Sequence, residues 1–181
     1  MWGDGGVYGA WADAMDRWAR GEPTDPAALP PLVREHFDAD TWARLANRIT
    51  AAANDRLIAW AAATSRSISY ARDEFAVAQA LTQARTGLRA VRVLTVLPQL
   101  PEDLRTRLLS LVDNQVREAQ LQLERQAAAD LGHRDRRYAE QRLRTIRDNG
   151  LTAILAETPA SAVADGWLGA TNPPRRRVIP G

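Results

Sequence analysis

Arg85, Arg89 and Arg92 recur at i, i+4 and i+7, so on a helix they form one stripe of planar cations. Three more, Arg175, Arg176 and Arg177, are consecutive near the C-terminus. Guanidinium groups suit phosphates and carboxylates, and these six residues are the candidate surface for nucleic acid or another anionic partner. A second cluster holds Arg134, Arg136, Arg137, Arg142, Arg144 and Arg147. The competing expectation is that such cations meet Asp and Glu of the same chain or of a neighbouring subunit.

Other groupings could do chemistry only on weaker grounds. Glu35, His36, Asp38 and Asp40 could hold a divalent cation, but Asp38 and Asp40 are also good helix N-caps, and only one imidazole is present. His133 lies in a charged stretch with no serine or cysteine nucleophile motif nearby. Gly3, Gly5, Gly6 and Gly9 match no phosphate-loop spacing and follow no strand, and a mobile N-terminus is expected there. Tyr70-x-x-x-Glu74 fits a five-residue protein-export signal. Patterns that short recur by chance, the Trp-x-Gly turn that accompanies the signal is missing, and nothing is assigned to it. Trp11 and Trp18 share one face of a first helix. Large rings in that position belong in a core, but if the helix docks separately they are natural anchors for a protein partner.

Composition narrows the chemistry. The chain has 181 residues, the length of one domain, and 45% of them are apolar, which argues against wholesale disorder. All 24 basic residues are arginine, and there is no cysteine. Schiff-base lysine, thiolate catalysis and cysteine-ligated metal are thereby excluded, and no cofactor is expected. Charge is uneven. Residues 1–40 carry eight acids against three Arg, whereas residues 41–100 carry three acids against eight Arg. An acidic head folding onto a basic middle is the expected consequence, ahead of a basic surface for nucleic acid. Neither a signal-peptide pattern nor an apolar run of membrane-spanning length is seen. No membrane contact is expected, and a cytoplasmic setting, or one inside a cytoplasmic or viral particle, is.

The elements that must position these residues are helical. Val7, Trp11, Ala14, Met15 and Trp18 predict a helix over 7–20 ended by Gly21, and four prolines between 23 and 31 predict a stiff linker. Trp42, Leu45, Ile49, Ala53, Leu57 and Trp60 predict a second helix, with a break near 64–67 where Thr and Ser would fall on its core face. Val77, Leu81, Ala84, Leu88 and Val91, then Leu109, Val112, Val116, Ala119 and Leu123, are two heptad seams either side of Pro98 and Pro101. They predict helices over 68–97 and 102–131 paired as an antiparallel hairpin with arms of about 45 Å. Asn149-Gly150 is a helix-stop signal, and Leu151–Ala156 could form a further short helix.

The expected fold is an all-α helical bundle built on that long, coiled-coil-like αα-hairpin, with the helix over 41–63 packed along it and extended terminal arms. Residues 1–37 form an acidic N-terminal arm, 38–150 the bundle, and 151–181 short helices and a Pro/Arg-rich tail. The expected function is a non-enzymatic interaction or assembly protein, self-associating and suited to a larger particle such as a virion. The alternative is an arginine-rich nucleic-acid-binding or regulatory protein.

Overall fold

Three helix starts follow from carboxylates that accept the first orphan amides. Asp38 accepts from the Thr41 N–H at 2.9 Å, Asp73 from Ala76 at 2.8 Å and Asp135 from Arg137 at 3.0 Å. In the computed structural model, which describes residues 4–25, 28–132 and 135–157, five α-helices result. They are α1 (Asp4–Ala19), α2 (Ala39–Tyr70), α3 (Glu74–Arg92), α4 (Glu102–Ala129) and α5 (Arg136–Asp148). A 3-10 segment, Leu151–Ala156, follows α5, and no β-strand occurs among the described residues. The chain is all-α.

α2 to α5 alternate in direction and make a four-helix bundle. Pairs climbing together set α4 parallel to α2: Asn47 with Arg107, Asn54 with Gln115, Ser65 with Gln126. α3 returns antiparallel to α2, and the Trp60 indole N–H donates to the Ala84 carbonyl at 2.8 Å. α5 runs parallel to α3, Glu74 meeting Gln141 and Thr145, and Arg85 meeting Asn149. The close neighbours are α2 with α3 and α4, and α5 with α3 and α4, whereas α3 and α4 barely touch. They stand across the bundle's diagonal.

That arrangement departs from the expected hairpin. The seam residues Val77, Leu81, Ala84, Leu88 and Val91 are all buried, as are Val112, Val116, Ala119 and Leu123. A heptad, however, says that a face is buried and not what buries it, and α2 takes the place expected of the opposite arm. Leu109 is partly exposed and Leu108 takes its place inside.

The expected break at 64–67 is also absent. α2 runs on to Tyr70 because its hydroxyls bond within the helix: Thr64 donates to the Trp60 carbonyl and Ser69 to the Ser65 carbonyl, each at 2.9 Å. Thr64 is buried on the core face that the phase argument assigned to it.

The acidic head belongs to the same core as the bundle. α1 begins at Asp4, so Gly5, Gly6 and Gly9 are helical instead of a mobile start. It ends in a Schellman turn. Gly21, at φ 89°, donates to the Trp18 carbonyl and Glu22 donates to Arg17. Trp11, Met15 and Trp18 are completely buried, and Asp16 pairs with Arg48 of α2, which realises the head-on-middle charge pattern. The proline linker is tied down too: Leu32 N–H donates to the Gln99 carbonyl at 2.8 Å, in the α3–α4 connection.

Candidate functional site

Two places on this scaffold gather chemistry, and the arginine stripe is the first. Arg85, Arg89 and Arg92 do share one face of α3, and that face is covered by residues 149–157 of the same chain. Arg85 donates to the Asn149 carbonyl. Arg92 donates to the Ile154 carbonyl at 2.6 Å and to the Glu157 carbonyl at 2.9 Å. Arg89 forms a two-pronged pair with the Glu157 carboxylate, both contacts at 3.0 Å. From α4, Gln120 accepts from the Leu151 N–H at 2.8 Å, and Leu151 and Ile154 are fully buried between the two helices. Residues 150–157 thus form a strap that follows α5 and lies against α3 and α4.

The physical reason is the helix C-terminus. The last carbonyls of a helix lack amide partners and carry the negative end of its dipole, so cations collect there. Arg85 serves the end of α5 and Arg92 the end of the 3-10 segment. Arg142, itself buried, donates to the Ile68 carbonyl at the end of α2. Arg56 lies under the end of α1, 5.3 Å from the Trp18 ring centre, its Nη1 3.3 Å from where a Cβ on Gly21 would stand. Burial pushes the Arg56 and Arg92 pKa values down, while the Glu157 pair raises that of Arg89. The reciprocal effect holds the Glu157 carboxyl below its ordinary value.

The stripe was expected to meet phosphates or side-chain acids. It meets main-chain carbonyls and one carboxylate, and main-chain carbonyls have no signature in a sequence. Arg136 and Arg147 of the second cluster pair with Glu140 and Glu124. Arg134, His133 and Arg175 to Arg177 lie outside the described residues. Trp11 donates its indole N–H to the Pro30 carbonyl at 2.7 Å. With both rings fully buried against α2 and the linker, Trp11 and Trp18 are core residues here, because the first helix does not dock separately. Asp38 acts as a cap, and no cluster of three His, Asp or Glu able to hold a metal occurs among the described residues. None of the described helices is long and apolar enough to cross a membrane.

The second place was missed in the sequence. At the α2–α3 turn, Tyr70 is 82% exposed and Phe75 77% exposed. Beside them α3 and α5 leave an open cleft of about 590 Å³, lined by Arg72, Glu74, Phe75, Tyr138, Gln141 and Thr145 among others. Most of its polar groups are already engaged. Glu74 accepts from Gln141 and from the Thr145 hydroxyl, and the Tyr138 hydroxyl donates to the Ala71 carbonyl at 3.0 Å. What remains open is aromatic surface beside the exposed Arg72 side chain. Besides the Tyr70-x-x-x-Glu74 pattern, to which nothing was assigned, the available signal was Phe75, apolar but out of phase with Val77, Leu81 and Ala84. Comparison with family models, curated proteins and solved structures finds no match to this chain.

Proposed function

We propose that this chain is a non-enzymatic interaction and assembly protein that meets a protein partner, a second copy of itself first among them, through the aromatic end of its bundle. The observation that carries this reading is the exposure of Tyr70 and Phe75 on either side of one short turn, beside a cleft where Glu74, Tyr138, Gln141 and Thr145 are already paired within the chain. Two large rings kept in water at one end of a bundle gain by being covered, and aromatic side chains are frequent anchors of protein interfaces. The displaced pKa values also have structural causes. Asp16, Glu22, Arg48, Arg89 and Glu157 are shifted by ion pairs, Asp38 by its cap, and Arg56 and Arg92 by burial.

The nucleic-acid reading draws less support, since each stripe arginine already has a partner within the chain. The deciding experiment is solution mass by light scattering from low to high micromolar concentration, on the full chain and on Y70D/F75D. Both positions are exposed, so the variant folds. The expected result is concentration-dependent association weakened at least about tenfold in the variant. A parent that stays monomeric, or a variant that associates unchanged, overturns the reading.

A further inference from the structure

Arg92 is the most constrained cation on the stripe. It is 3% exposed, both its Nη groups donate to strap carbonyls, and its Nε has no acceptor among the described residues. If the strap lifts away, Arg92 loses both of its carbonyl acceptors and the apolar slot that holds Leu151 and Ile154 opens to water. The slot between α3 and α4 therefore calls for a peptide with carbonyls over Arg92, a carboxylate over Arg89, and two apolar side chains where Leu151 and Ile154 now sit. A second copy of this chain carries that peptide.

We infer that the strap is exchangeable: residues 150–157 of one copy occupy the slot of another and receive its strap in return. Reciprocal exchange reproduces every contact of the closed chain and needs no newly complementary surface, which makes it a low-cost route to a dimer. The strap suits it, being short, non-α-helical, and held mainly by side chains of α3 and α4. Its hinge also suits it. Asn149 sits at φ −110°, ψ 28°, and Gly150 at φ −53°, ψ 149°, so the chain turns at one residue and is extended at the next. Opening that single turn carries the strap away from its own slot. This inference is independent of the aromatic end, and its test leaves Tyr70 and Phe75 untouched.

The test uses the partly exposed Arg89–Glu157 pair, where a charge change leaves the core intact. R89E sets two carboxylates against each other in the closed chain, and E157R sets two guanidiniums against each other. Mixed, the two variants satisfy both slots only in trans: each slot then receives a strap of opposite charge. The expected result is a heterodimer on mixing, seen by native mass spectrometry and light scattering, at least about tenfold tighter than either variant's self-association. A mixture that behaves as the sum of its parts overturns strap exchange. G150P is the second arm. Proline pushes the preceding residue to extended ψ, away from the ψ of 28° that Asn149 holds in the closed turn, so that turn is disfavoured. G150P should dimerise at least about tenfold more tightly than the parent, and an unchanged mass also counts against exchange.

Discussion

α1 and the strap both lie against the four-helix core, and they are held by contrasting chemistry. α1 is fixed mainly by area: Trp11, Met15 and Trp18 are completely buried, with one buried polar tie, the Trp11–Pro30 bond, and one exposed pair, Asp16–Arg48. The strap buries Leu151 and Ile154 but is fixed by direction, through guanidinium and amide groups aimed at main-chain atoms. Buried area is tolerant of geometry and costly to remove. Directed bonds are individually modest, and they open when one donor is lost.

The largest expected effect is at α1. W18A removes a fully buried ring and the face on which Arg56 rests, and should destabilise the chain by about 3–5 kcal/mol in urea denaturation. A loss below about 1 kcal/mol would mean that α1 is a loosely held arm after all. L88D, at the centre of the α3 face, should cost a similar amount by burying an unpaired charge.

R92A at the strap should cost less, about 1–3 kcal/mol. It leaves the Glu157 carbonyl short of a donor, but it also relieves a desolvated charge, and the two partly offset. The sharper readout is hydrogen exchange. The Leu151, Ala153 and Glu157 amides should exchange faster, while those of α1 stay as protected as in the parent. Equal deprotection of both regions would mean that strap and α1 open as one unit, and the contrast between them would fail.

The same contrast explains what could be read from residues alone. α1, the two heptad faces, the Asp38 cap and the Asn149-Gly150 stop were legible because burial and capping act through side-chain type and spacing. The pairing of α2 with α3, instead of α3 with α4, was not, because Leu88 and Val91 require an apolar neighbour without naming one. Continuity of α2 through Thr64 was hidden because a hydroxyl that bonds its own i−4 carbonyl looks polar in sequence and is satisfied in a helix. The stripe was recognised as a stripe, but its partners at 149, 154 and 157 act mainly through carbonyls that every residue has. The Tyr70–Phe75 end was passed over because an exposed ring is defined by the lack of neighbours, which appears only once the helices are placed.

The smallest effect concerns acid, and it acts on both flanks. Arg89 holds the Glu157 carboxyl below its ordinary value of 4.5, and Arg48 holds that of Asp16 below 3.8. A depressed folded pKa means that the unfolded chain binds the proton more readily. The stabilisation is therefore fully present above the ordinary value and is lost as pH falls through the folded one. Both pairs are solvent-exposed, so each contributes little, and salt reduces it further. E157Q should remove the strap's share of the acid response below about pH 4 and leave the Asp16 share. R89Q should return the Glu157 carboxyl to its ordinary range, followed directly by its carboxyl carbon resonance during titration. R89Q should also speed exchange at the Glu157 amide only slightly, since Arg92 still binds the strap's carbonyls. If R89Q instead freed the whole strap, the Arg89–Glu157 pair and not Arg92 would be its principal fastening, and the strap would be held mainly by exposed charge.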